Sequence, residues 1–149
     1  MERVVVAGVL VALAVVVALL LERQRPDAPT APTWAVPRQL DRADFTRPEA
    51  PWLVAVFTSA TCQTCAGTAA KAAVLDCAHV AVEELEVGRR KDMHDRYGVD
   101  AVPTLVVADA EGVVRASFVG QPTATDLWAA VAELRQPGSS PEPDLGRFP

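Results

Sequence analysis

A chain of 149 residues, 50% of them hydrophobic, holds one small domain with its own core and is short for two. Its 14 basic and 19 acidic residues give a formal charge of -5, which argues against a nucleic-acid partner, because phosphate neutralisation needs clustered Lys and Arg. Three cysteines are too few, and unevenly numbered, for a disulfide-stapled mini-protein.

Residues 4–21, VVVAGVLVALAVVVALLL, are 18 consecutive apolar residues. As a helix rising ~1.5 Å per residue they reach about 27 Å, close to the ~30 Å of a bilayer core. The run exceeds the ~7–15 residues of a cleaved export signal's apolar region, so residues 1–21 read as an uncleaved, single-pass anchor, expected in the plasma membrane. Orientation stays open. Arg3 and the free amine precede the span, and Arg23, Arg25 and Arg38 follow it, a count that leans the domain toward the cytoplasm. A tethered thiol enzyme, however, is commonly required outside the cytosol. Residues 22–33 carry Pro26, Pro29 and Pro32 and read as an extended linker. Residues 136–149, rich in Pro, Ser and Gly, read as a disordered tail, which leaves 34–135 as the folded domain.

Within that domain, residues 35–40 suggest a short strand, and Asp41 suits the N-cap of a brief helix through Phe45. Trp52 to Thr58, WLVAVFT, is a continuous β-rich apolar run of the kind buried on both faces of a sheet. Small and apolar residues at helical spacing then predict a helix from Cys62 to Ala78, with Cys77 on its packed face. Val80–Val87 reads as a strand and Arg89–Tyr97 as a charged helix, its His94 exposed and Gly98 its left-handed terminator. Pro103 opens the strand TLVVAD, and DAEG, residues 109–112, turns the chain into Val113–Phe118, making a hairpin. Thr123 caps a last helix through Arg135, with Leu127, Trp128, Val131 and Leu134 on its apolar side.

The chemistry concentrates in Cys62-Gln63-Thr64-Cys65. A cysteine in the first turn of a helix meets unpaired backbone N–H groups and the positive end of the dipole, which favour the thiolate. Cys62 is then the attacking nucleophile, and Cys65, nearly one turn on, is placed to resolve the mixed disulfide without a cofactor.

Three segments, VAVFTSATCQTC, RYGVDAVPTLVV and DAEGVVRASFVG, resemble the thioredoxin-like family in order and spacing over residues 34–135. The resemblance implies a three-layer α/β/α sandwich with a mixed central sheet, and thiol–disulfide oxidoreductase activity on protein or small-molecule disulfides and dithiols, fed by an unidentified electron donor. It implies a cis bond before Pro103, with Thr61, Val102 and Pro103 contacting substrate. Departures exist: Thr61 stands where thioredoxins have Trp, Gln63-Thr64 where they have Gly-Pro, and Val56 where they bury an aspartate. Glu84, matching a buried lysine of thioredoxins, is a candidate replacement proton acceptor. With no His between the cysteines, the direction leans toward a reductase.

Two rivals remain. Cys62, Cys65, Cys77 and His79 spell a Cys3His set, but a helix continuous from Cys65 to Cys77 separates those sulfurs by roughly 18 Å, so no metal is expected. A catalytically inactive domain that binds extended peptides at the Pro103 face is the non-enzyme alternative.

Overall fold

A computed structural model describes residues 34–139. The expected anchor 1–21, the linker 22–33 and residues 140–149 of the expected tail lie outside them.

The apolar run becomes strand β1 (Trp52–Thr58), buried from Leu53 onward. It is central: β2 (Val80–Glu86) pairs with it in parallel, and β3 (Thr104–Ala108) pairs antiparallel on its other side. β4 (Val114–Val119) continues antiparallel from β3, giving the order β2-β1-β3-β4. The two outer strands carry the polar residues: β4 alternates between half-buried and exposed, and β2 ends in EELE, as edge strands should. Helix α1 (Cys65–Ala73) bridges β1 to β2, α2 (Lys91–Tyr97) bridges β2 to β3, and α3 (Ala124–Arg135) follows β4.

Period-two alternation along β1 divides the core. Leu53, Ala55 and Phe57 face one side with Leu85 and Val106, beneath Phe45, Met93 and Val99. Val54 and Val56 face the other with Leu105 and Val107, beneath Ala72 of α1 and Leu127 and Val131 of α3. Each large side chain so buried contributes about 1.5–3 kcal/mol. These are the three layers anticipated.

Several elements differ from their sequence reading. Residues 35–40 form no strand. Pro37 lacks a donor, and the segment meets the hairpin through a single bridge, Gln39 to Val113, flanked by Leu40 N–H to Gly112 O (2.8 Å) and Val114 N–H to Arg38 O (3.0 Å). Asp41 does cap, its carboxylate accepting from Ala43 N–H, but over a short 3-10 turn, Arg42–Asp44. Arg42 is buried there, donating to Asp109 O (2.7 Å) and Ala50 O (2.9 Å); this burial pulls its pKa below the ordinary guanidinium value despite nearby Asp109.

Helix α1 is shorter than expected at both ends. Beyond Ala73 the chain tightens into i→i+3 turns, and Cys77 exchanges backbone hydrogen bonds with Val80 (3.0 and 3.2 Å). Asp76 drives this reversal by accepting from Val82 N–H (3.2 Å) and pairing with Arg47, a side chain competing with the helical ladder. Cys77 is therefore an exposed free thiol, not a core residue. His94 departs in the opposite sense. It is buried, its Nε2–H donating to Leu85 O (2.8 Å) and its ring edge-on to Phe57 at 5.1 Å. Trp128 is 41% exposed; its indole N–H donates to Lys71 O (3.0 Å), tying α3 to α1. Gly98 (φ +63) ends α2 as anticipated.

Candidate functional site

Strand β1 delivers the chain to a loop that local polar bonds hold open. Ser59 O accepts from Cys62 N–H (3.1 Å), and the Ser59 and Thr61 hydroxyls lie 3.0 Å apart. From the end of β2, Glu86 Oε1 accepts from Ala60 N–H (3.3 Å) and Gly88 N–H (2.9 Å). The Gly88 bond, with the Ala60 bond and the Arg89 charge, holds the Glu86 carboxyl below its ordinary pKa against a smaller desolvation. Sequence reading missed Glu86; its only signal was a carboxylate two residues before the turn glycine Gly88.

Cys62 and Cys65 are joined in a disulfide, with Cα atoms 5.4 Å apart. The first helical residue is Cys65, not Cys62: Thr64 is the N-cap. Cys62 sits in the turn before the helix, half-buried, while Cys65 is 2% exposed beneath it. Cys62 thus keeps some access to solvent, and Cys65 has almost none. The Thr64 hydroxyl lies 3.7 Å from Cys62 Sγ.

The β1–β3 register brings Pro103 to the same end of the sheet. Phe57 is opposite Thr104, so Pro103 arrives level with the end of β1 where the cysteine loop begins. The Val102–Pro103 bond is cis, and Pro103 O accepts from Gly120 N–H (2.8 Å). Pro103 is buried and Val102 half-buried against the Phe57 side of the core, whereas Thr61 is exposed.

Glu84 stands opposite Val56 in the β1–β2 register, on the face covered by α1. Its Oε1 accepts from the Thr58 hydroxyl (2.8 Å), and with Val56, Ala69, Ala73, Asp76 and Val82 it lines a groove of about 310 Å³. Among the described residues no three His, Cys, Asp or Glu side chains are grouped to hold a metal ion. Helix α1 stops at Ala73, so Cys65 and Cys77 are not separated by the unbroken helix expected.

No protein-family model matches this chain, and no curated protein matches it. Solved structures do. Thioredoxin O2 from Arabidopsis thaliana in its oxidized state is 23% identical, with a TM-score of 0.52 over 63% of this chain and 89% of that one. Thioredoxin-2 of the malaria parasite is 15% identical, with a TM-score of 0.50 over 56% of this chain and 82% of that one. With its mixed four-stranded sheet and its Cys62–Cys65 pair beside α1, the domain has the thioredoxin-like α/β fold.

Proposed function

We propose that this chain is a membrane-tethered thiol–disulfide oxidoreductase, working as a reductant, with Cys62 attacking and Cys65 resolving. The observation that carries the reading is the asymmetry of the disulfide, which joins a half-buried cysteine to one that is 2% exposed. In the reduced state the Cys62 thiolate attacks a substrate disulfide, forming the Cys62–substrate bond as the substrate's own S–S bond breaks; the departing thiolate takes a proton. The Cys65 thiolate then attacks Cys62 Sγ, restores the internal disulfide and expels the second substrate thiol. Two electrons pass to the substrate, and an external dithiol donor resets the site.

Thr61, Val102 and Pro103 are the substrate contacts in this reading, supported by the register that sets Thr104, next to Pro103, opposite Phe57 near the end of β1. Glu84 is the proton acceptor for the resolving thiol, supported by its place on the α1 side of the sheet. The 18-residue apolar run at 4–21 supports a single-pass tether, in the plasma membrane, and the Lys and Arg count supports a cytoplasmic domain. An impermeant thiol label that modifies the domain in intact cells would reverse that orientation.

The deciding experiment equilibrates the full chain with glutathione buffers. A potential near the about -270 mV of thioredoxin is expected, and one near about -120 mV would make the protein an oxidant. Cys62→Ser is expected to abolish exchange, and Cys65→Ser to accumulate the mixed disulfide at Cys62. Absence of a Cys62–Cys65 disulfide at every poise would leave the peptide-binding alternative in its place.

A further inference from the structure

Thr64 is the N-cap of α1, the position at which a threonine hydroxyl ordinarily accepts from an orphan N–H of the first turn. It does not do so here. Its backbone is helical (φ -92, ψ -11) rather than extended, and its side chain makes no cap hydrogen bond. The hydroxyl lies instead 3.7 Å from Cys62 Sγ. In the disulfide neither sulfur carries a proton, so only the hydroxyl can donate. A disulfide sulfur accepts weakly; a thiolate, carrying a full charge, accepts strongly.

We propose that the Thr64 hydroxyl stabilises the Cys62 thiolate, setting both the reactivity of the attacking sulfur and the poise of the dithiol. This rests on the reading of Cys62 as the nucleophile. The hydroxyl is already beside the sulfur before reduction. Charged groups near the loop include Glu86 at Ala60 N–H, Arg89 at 3.8 Å from Glu86, and Glu84 at Thr58. None of these contacts involves the Thr64 hydroxyl, so removing it leaves them in place.

The absence of a cap bond makes the test clean. Thr64→Val keeps the β-branched shape and loses no helix cap, so its melting temperature should match that of the parent. The reduced full chain is alkylated with iodoacetamide across a pH series, and modification at Cys62 is read by mass spectrometry separately from Cys77. In Thr64→Val the midpoint for Cys62 is expected to move to higher pH, with the rate at neutral pH falling about threefold to tenfold. The glutathione equilibrium is expected to shift by a similar factor toward the disulfide, tenfold being about 30 mV for this two-electron couple. Thr64→Ser, which retains the hydroxyl, should stay close to the parent. An unchanged midpoint in Thr64→Val, or an equal shift in Thr64→Ser, overturns the proposal. Alkylation needs no disulfide substrate, so a shifted midpoint in a chain that fails to reduce disulfides would sink the exchange reading while leaving the Thr64 assignment standing.

Discussion

Thr58, at the end of β1 and 1% exposed, donates its hydroxyl hydrogen to Glu84 of β2 over 2.8 Å. The two are diagonal neighbours across a parallel pair, since Val56 is opposite Glu84 and Thr58 opposite Glu86. The bond anchors a carboxylate on the side of the sheet that α1 covers, where the Val56 position itself offers none. If Glu84 takes up the proton of the resolving thiol, Glu84→Gln should slow disulfide exchange about a hundredfold, the low end for general-base assistance. Steady-state rates from pH 4 to 9 for parent and variant check this; superimposable profiles would leave Glu84 as a partner for Thr58 alone.

Gly112 clasps the hairpin to the chain's approach to β1. Its φ is +79, and a Cβ built there would stand 2.0 Å from Leu40 O, the neighbour of the Leu40 N–H that bonds Gly112 O at 2.8 Å. Gly112→Ala therefore meets both a disfavoured backbone region and a backbone clash that no side-chain motion relieves. Chemical denaturation should show a loss of about 2 kcal/mol or more. Gly98→Ala, with φ +63 but open space around it, should lose only about 1 kcal/mol.

Asp109 organises the same hairpin. Its carboxylate accepts from Glu111 N–H (3.1 Å), Val113 N–H (2.8 Å) and Arg115 Nε (2.6 Å). Burial pushes its pKa up, but the Arg115 bond and charge and the two backbone bonds outweigh it, and the net displacement is below the ordinary 3.8. A carboxyl depressed in the folded state stabilises fully above its unfolded value and loses that contribution as the pH falls through the folded one. Asp109→Ala should thus cost about 1–3 kcal/mol at pH 7. The gap between parent and variant should narrow below pH 3.8. Thermal melts at pH 7 and pH 2.5 measure it, and a gap that is constant with pH would show that packing, not the charge, is responsible.

Much of the architecture was legible because the signals are local. Six consecutive apolar residues, Trp52 to Phe57, before the first cysteine are best satisfied in the centre of a sheet, and β1 is central. Asp109 and Gly112 spell a turn whose strands must pair antiparallel, and Gly98 and Thr123 mark helix boundaries by backbone conformation and capping. The C-x-x-C spacing likewise puts two sulfurs within bonding reach whatever surrounds them.

What the tertiary structure decided are the properties that depend on which distant residue arrives opposite. Periodicity placed Cys77 on a packed face, but Asp76 found partners in Val82 and Arg47 and turned the chain outward. Charged neighbours suggested that His94 was exposed, yet the carbonyl of Leu85 and the ring of Phe57 supplied a buried place for it. The cysteine motif could not say where its helix begins: starting α1 at Cys65 rather than Cys62 leaves Cys62 in a turn and turns the Thr64 hydroxyl toward its sulfur. Glu86 became part of the loop because parallel pairing ends β2 beside the end of β1. Sequence alone determined the elements and the reactive pair, since propensity and spacing act over a few residues. Only the fold determined exposure, hydrogen-bond partners and the surroundings of each sulfur, since these are set by strand register and helix ends that bring together residues remote along the chain.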